Sequence, residues 1–358
     1  MNNFDKHVKI FNSFVDNINE NEKVAIIAHA KCNDGMVSSI FLNEILRSKY
    51  PSLHKPLLLF RDYDLSLFDN LSGILKKDGV NKVFILDICI NNEIAVQFEQ
   101  FCNDFDVCYV DHHPSNASLP FVKNLIKTET PDCTSLMIYK FGEKYLNKKS
   151  FNELLCAAMV SEFSYVKKEN LAILQKFYPD FTVEKISLSK PFALSSSIGS
   201  AAIYYKNDTA LAYELLSNFR FSEIDSIHKE VSEEVEKHLK AFEKTESYFD
   251  KKLFFYRFES HLSIGSRLST ILSVKYPNAV IIVFSASDSN PSLIKVSSRC
   301  QIEPLPYSMS DLLKAGTKGF ENATTGGHVR ASGGSFLKKD LEVFKKQVIR
   351  FVEEKIRL

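Results

Sequence analysis

Three stretches of this sequence place side chains that could hold a metal ion at equivalent points. Asp111-His112-His113 follows directly on the apolar run Val107-Cys108-Tyr109-Val110, and Pro114 fixes the exit. A carboxylate and two imidazoles in succession are costly to bury and hold a fold together poorly. They make sense where a strand ends in an open crevice and side chains converge on a cation. Two earlier runs end alike: Val24-Ala25-Ile26-Ile27-Ala28 delivers His29, with Asp34 close behind, and Val83-Phe84-Ile85-Leu86 delivers Asp87. Taken singly, a histidine after a strand is a capping or core residue, Asp-Gly an ordinary turn, and an aspartate at a strand end a helix cap. Their conjunction at the ends of three neighbouring strands carries the inference. Oxygen and imidazole donors without a thiolate set suit Mn2+ or Mg2+ better than a structural zinc. Two such ions about 3.5–4 Å apart can share a bridging carboxylate and hold a hydroxide against phosphorus, which is the chemistry of phosphoester hydrolysis.

A second kind of chemistry resides near the C-terminus, in the loop Thr325-Gly326-Gly327-His328-Val329-Arg330-Ala331-Ser332-Gly333-Gly334. Small residues let a backbone approach a phosphate, and His328 and Arg330 could donate charge-assisted bonds to it. Arg299, at a strand end, is a further phosphate contact; its plainer reading is a surface salt bridge.

The elements that must position these groups alternate along the chain. An amphipathic helix over 5–20 precedes the strand at 24–28; the loop 29–35 leads into a helix with Val37, Ile40, Phe41, Ile45 and Leu46 at helical spacing. A strand at 57–60, a helix at 65–77, a strand at 83–86, a helix at 92–102 and a strand at 107–110 follow. This alternation implies βαβ units and a parallel sheet. Helical patterns run from 133 to about 245, highly charged from Glu223 to Lys244, as a solvated connecting helix would be. The α/β pattern then restarts, with strands at 253–256, 279–284 and 293–299, a helix at 263–275 and a last amphipathic helix at 339–356.

The chain has 358 residues and a net charge of +1, so two domains are expected and no broad basic field advertises long duplex nucleic acid. Seven cysteines without a CxxC pair read as reduced thiols rather than a disulfide framework or zinc site. With neither a signal-peptide core nor an apolar stretch of membrane-spanning length, a cytoplasmic or equivalent reducing location without a membrane partner is expected.

In these residues the sequence resembles the DHH phosphoesterase superfamily, the group of RecJ-like exonucleases and short-oligonucleotide nucleases. His29 to Asp34 is similar to its first motif, Asp87 to the second and Asp111-His112-His113 to the third. Thr325-Gly326-Gly327-His328 through Ala331 and Gly333 is similar to the Gly-Gly-His signature of the associated C-terminal domain. The resemblance implies a parallel-sheet α/β catalytic domain over 1–190, a helical connector over 191–245 and a smaller α/β substrate-binding domain over 246–358, with the active-site cleft between the two domains. It implies that His29, Asp34, Asp87, Asp111, His112 and Glu162 serve the metals, Asp87 as the bridge and Asp111 as a ligand or as the group orienting one. Asp111 and His113 would act in catalysis, His113 facing the substrate, while Arg299, Gly326, Gly327, His328 and Arg330 would hold it. The usual first motif is His-x-x-x-Asp-x-Asp, whereas Asn33 and Gly35 stand at the two carboxylate positions here. Cys32, Asp34 and Gly35 fit a His-x-x-Cys-x-Asp-Gly version of it. Glu162 stands where the fourth motif has an aspartate. The expected cofactor is Mn2+ or Mg2+, two ions with the second resting on these altered positions. The expected substrate is a short single-stranded oligonucleotide or small nucleotide phosphodiester, with cyclic dinucleotide or pyrophosphate hydrolysis, and metal-free nucleotide binding, as the rivals. Monomer and homodimer both remain open.

Overall fold

The apolar runs ending in His29, Asp87 and Asp111 become neighbouring strands in a computed structural model that describes residues 3–30, 32–61, 67–68, 70–115, 117–205, 208–287, 290–305, 307–327 and 329–356. The chain divides into two compact units, Met1–His228 and Lys229–Leu358. The first is built from α1 (Asn3–Asp16), β1 (Lys23–His29), α2 (Asn33–Lys49), β2 (Leu57–Arg61), α3 (Leu71–Lys77), β3 (Val80–Leu86), α4 (Ala95–Asp104), β4 (Asp106–Asp111), β5 (Asn124–Lys127), α5 (Thr134–Gly142), α6 (Lys149–Ser161), α7 (Lys168–Phe177), α8 (Lys190–Tyr204), α9 (Thr209–Ser217) and the start of α10 (Phe221–Phe242). Its five strands are all parallel, in the order β2-β1-β3-β4-β5.

Both faces of this sheet are buried, which is why its central strands read as unbroken apolar runs. Val24, Ile26 and Ala28, with Phe84, Leu86, Cys108 and Val110, face the larger core shared with α1, α2, α5, α6 and α8. Ala25, Ile27, Val83, Ile85, Val107 and Tyr109 face the smaller core under α3 and α4. Pairing of Ala28 with Leu86, and of Leu86 with Val110, puts the carboxyl ends of β1, β3 and β4 side by side. Helices α8 and α9 contribute Ile198, Ala201, Ala212, Leu215 and Leu216 to the larger core, so much of the stretch between 191 and 217 packs into the first unit.

Strand β5 is not expected from the sequence: four residues with only Leu125 and Ile126 apolar give too short a pattern to separate from a loop. Helix α2 also begins earlier than its apolar spacing suggests. Cys32 caps it, the sulfur accepting the Gly35 N–H at 3.1 Å, so Asp34 and Gly35 lie in its first turn instead of a loop. The start of α2 crowds the end of β1, and a Cβ at Gly35 would lie 2.3 Å from the His29 carbonyl oxygen. Only glycine fits.

The second unit continues α10 and adds β6 (Ser247–Tyr248), β7 (Leu253–Arg257), α11 (Gly265–Lys275), β8 (Val280–Ala286), β9 (Leu293–Cys300), α12 (Met309–Gly316), β10 (Thr324–Gly327), β11 (Ala331–Leu337) and α13 (Leu341–Ile356). A mixed six-stranded sheet, β10-β11-β9-β8-β7-β6, packs Phe284 and Phe336 against Phe344 of α13. The glycine-rich segment expected as a loop forms the antiparallel pair β10 and β11 instead. Its glycines allow close pairing: Gly327 has φ +141°, and a Cβ there would lie 2.4 Å from the Ala331 carbonyl. All seven cysteines are free thiols, and among the described residues no helix is long and apolar enough to cross a membrane.

Candidate metal centre

His29, Asp87, His112 and His113 reach the crevice because a strand stops beneath them, whereas Asp34 comes from the first turn of α2 and Glu162 follows α6. His29 is the last residue of β1, and Asp111 ends β4 with His112 and His113 just beyond. Asp87 follows β3 and keeps one more ladder bond, its N–H donating to Val110 O at 3.0 Å. Its backbone is left-handed, with φ +60°, a conformation costing roughly 1–3 kcal/mol for a residue other than glycine. That turn aims a buried carboxylate into the space between β1 and β4.

Two groups of side chains there could hold a cation, His29 with Cys32 and Asp87, and Asp87 with His112 and His113; within each group the ligand atoms lie within 4.8 Å of one another. Asp87 belongs to both. Its Oδ2 is 3.6 Å from His29 Nδ1 and accepts the Cys32 thiol at 2.9 Å, while Oδ1 is 3.4 Å from His112 Nε2. Three carboxylates surround that ring nitrogen, because Asp34 Oδ2 is 3.6 Å and Glu162 Oε2 3.9 Å from it.

Second contacts orient these groups. His112 Nδ1 lies 2.7 Å from the Thr130 carbonyl, an acceptor only, so the proton belongs on Nδ1 and the Nε2 lone pair faces the carboxylates in the neutral ring. Asp34 accepts the N–H groups of Thr134 at 2.8 Å and Ser135 at 2.7 Å, at the start of α5. Asp111 is fully buried, its oxygens taken by the Tyr109 hydroxyl, Lys127 and His113 Nδ1. It stands behind His113 and outside both ligand groups, so this geometry gives it an orienting part. Asn33 points elsewhere, donating to Ser195 O and Oγ at 3.0 and 2.9 Å and tying α2 to α8.

The electrostatics of the cluster favour a cation at its centre. Burial, then the neighbouring Asp87, pushes Asp34 up to about 8, and the same two causes raise Glu162. Burial also acts to raise Asp87, but the imidazoles of His112, His29 and His113 hold it below the usual carboxylate range. Against burial, Asp87 and Asp34 raise His112 to about 10. Cys32 is driven well upward by burial and by Asp87 and Asp34, so it serves as a thiol donor to Asp87. Asp87 Oδ1 and His112 Nε2 are both buried without a hydrogen-bond partner, although they face each other. An ordered cation of the Mn2+ or Mg2+ type fits this donor set: carboxylate and imidazole ligands, a bridging carboxylate, and two buried atoms 3.4 Å apart that make no hydrogen bond.

The structure thus brings His29, Asp34, Asp87, His112, His113 and Glu162 together. Three contributions escape sequence reasoning: the hydrogen bond of the Cys32 thiol to Asp87, the Thr130 carbonyl and Lys127. For Cys32 the available signal is its place between His29 and Asp34; the Thr130 carbonyl leaves none. In the second unit, Arg299 donates to Ser266 Oγ at 3.0 Å, and its buried Nε lacks a partner. Gly326 and Gly327 lie in β10, and Arg330 is paired with Glu303. His328 lies outside the described residues.

Residues 23–160 match the family described as DHH family, N-terminal domain. No curated protein sequence matches the chain. Among solved structures, an exonuclease RecJ bound to manganese is similar over 98% of this chain and 96% of its own, at 12% identity and a TM-score of 0.71. RecJ from Thermus thermophilus in complex with Mn2+ aligns with the whole of this chain but 55% of its own length, at 13% identity and a TM-score of 0.65. An exopolyphosphatase-related protein from Bacteroides fragilis aligns over 98% of both chains, at 13% identity and a TM-score of 0.52.

Proposed function

We propose that this chain, which belongs to the DHH phosphoesterase superfamily, is a divalent-metal-dependent phosphodiesterase that releases mononucleotides from short oligonucleotides or small nucleotide phosphodiesters. The observation carrying this reading is Asp87, shared by both ligand groups and left with a buried, unpartnered oxygen facing an equally unpartnered His112 Nε2. Mn2+ or Mg2+ bound there would supply a hydroxide nucleophile and neutralise charge on the phosphoryl oxygens.

The remaining work belongs to the protein's own side chains. His29 and Asp87 form one side of the ligand set, His112 with Asp34 and Glu162 the other. Cys32 holds Asp87 Oδ2 by a hydrogen bond, and Thr130 holds the His112 ring. Asp111 fixes His113 through Nδ1 at 2.8 Å, leaving the other ring nitrogen to serve the leaving oxygen as a proton donor. Asp111 is itself steadied by Lys127 and Tyr109. Arg299 is the proposed substrate phosphate contact, with Gly326, Gly327, His328 and Arg330 as lesser ones. A net charge of +1 suits short substrates, since long polyanions reward many lysine and arginine contacts.

The test is an assay with Mn2+ on 5′-labelled dinucleotides, longer oligomers, cyclic dinucleotides and pyrophosphate. Mononucleotide release from the shortest oligomers is expected. Activity confined to pyrophosphate or polyphosphate would favour a second reading, a phosphoanhydride hydrolase, for which the similarity to the exopolyphosphatase-related protein speaks. No turnover, together with well under one Mn2+ retained per chain, would leave a nucleotide-binding protein.

A further inference from the structure

We infer that the first unit carries a second ligand pocket, shaped for a phosphate group joined to an aromatic ring system, as in a nucleoside monophosphate. A cavity of about 520 Å3 opens where the beginnings of α6 and α8 meet the end of α7. That is a normal size for a small-molecule site, which pairs an apolar wall with a few fixed polar groups.

Both components are present. Phe177, Tyr178 and Phe181 line one part of the cavity, and the Phe181 ring is held 6.3 Å from that of Tyr165. Leu188, 85% exposed, adds an aliphatic surface to the same wall. Three lysines bring positive charge from three separate elements: Lys149 from α6, Lys185 from the short helical turns at 183–188, and Lys190 from α8. Two acids also line the cavity. Glu153 lies 3.7 Å from Lys149, and Asp180 offsets one more charge. The lining keeps a surplus of one positive charge, and neither Lys185 nor Lys190 makes an ion pair among the described residues. A phosphate answers that surplus and a planar ring answers the aromatic wall.

The pocket shares no residue with the metal centre. Helix α6 begins at Lys149 beside the pocket and ends at Ser161, next to Glu162, roughly 20 Å away at 1.5 Å per residue. The pocket is therefore open to a nucleotide independently of the hydrolytic site, and this inference does not rest on the proposed function.

Calorimetric titration of AMP, adenosine and inorganic phosphate into the full chain with Mn2+ tests it. AMP should bind saturably, at least tenfold tighter than adenosine or phosphate. That binding should be lost in K185E/K190E, survive in K185R/K190R and persist in His112→Ala. K185E/K190E should retain hydrolysis within about twofold, which separates failure of this pocket from failure of the hydrolase reading. Three results would each overturn the inference: no saturable AMP binding, phosphate binding as well as AMP, or AMP binding lost in His112→Ala yet intact in K185E/K190E.

Discussion

The crevice above β1, β3 and β4 and the glycine-rich pair β10–β11 both attract attention in the sequence, yet they differ in how their polar atoms are satisfied. In the crevice, three carboxylates lie within 4 Å of one ring nitrogen, and two buried atoms have no partner. In the hairpin the backbone is paired strand to strand, Ser332 Oγ donates to Gly326 O at 2.6 Å, and Arg330 is matched with Glu303. Glycine at 327 is required by its own neighbours, whatever ligand is present. Unsatisfied buried charge therefore distinguishes a binding centre from a tight turn better than residue type does. By that criterion Arg299, with its buried and unpartnered Nε, ranks first among the phosphate contacts proposed for the second unit.

Substitutions can break this contrast or sharpen it. The largest effect is expected at the shared ligand: Asp87→Asn and His112→Ala should each lower kcat by roughly a thousandfold or more and reduce retained Mn2+, read by single-turnover kinetics and elemental analysis. A variant with normal metal content and normal kcat would remove Asp87 from the centre. Next comes pH. Asp34, raised to about 8, and His112, raised to about 10, hold protons near neutrality that a cation must displace. Stability from the Asp34 proton is complete below pH 3.8 and lost as pH rises through 8; that from His112 is complete below 6.5 and lost through 10. The metal-free chain should thus weaken as pH climbs across this range. Between pH 6 and 8, affinity for Mn2+ should rise by about tenfold per unit for each proton displaced, as calorimetry would show. A flat profile would mean that the three carboxylates do not share a charge problem.

Smaller effects are expected in the second unit. Arg299→Ala should raise KM about tenfold with kcat nearly unchanged, the mark of a binding contact. An equal collapse in kcat would erase the division of labour between the units. Least affected should be Arg330→Ala, within about twofold in kcat/KM, because the guanidinium is already engaged by Glu303. A tenfold loss there would promote the hairpin to a binding element and undo the comparison.

The strand ends are legible in the sequence because both faces of the sheet are covered, so Val24–Ala28, Val83–Leu86 and Val107–Val110 stand out as apolar runs whose terminal residues are conspicuous. Glu162 can be named from sequence only as a departure; the structure puts it 3.9 Å from His112 Nε2. Other features are hidden by their physics. The cap of α2 is a cysteine sulfur, which falls outside the usual capping residues, so the apolar spacing places the helix start too late. Strand β5 is too short to show a period, and the hairpin reads as a loop because glycine favours turns. The Thr130 carbonyl cannot be seen at all, since every residue carries one.

That last property reaches beyond the site. The groups steering His112 and Asp34 include main-chain atoms between 130 and 135: one carbonyl and two amides. Side-chain replacement in this segment leaves those atoms in place, while the full burial of Cys133, Thr134 and Ser135 and the 3.0 Å bond from Ser135 Oγ to the Asp34 carbonyl still restrict which letters fit. Proline at 134 or 135 is the exception, because it alone would delete a hydrogen that Asp34 requires.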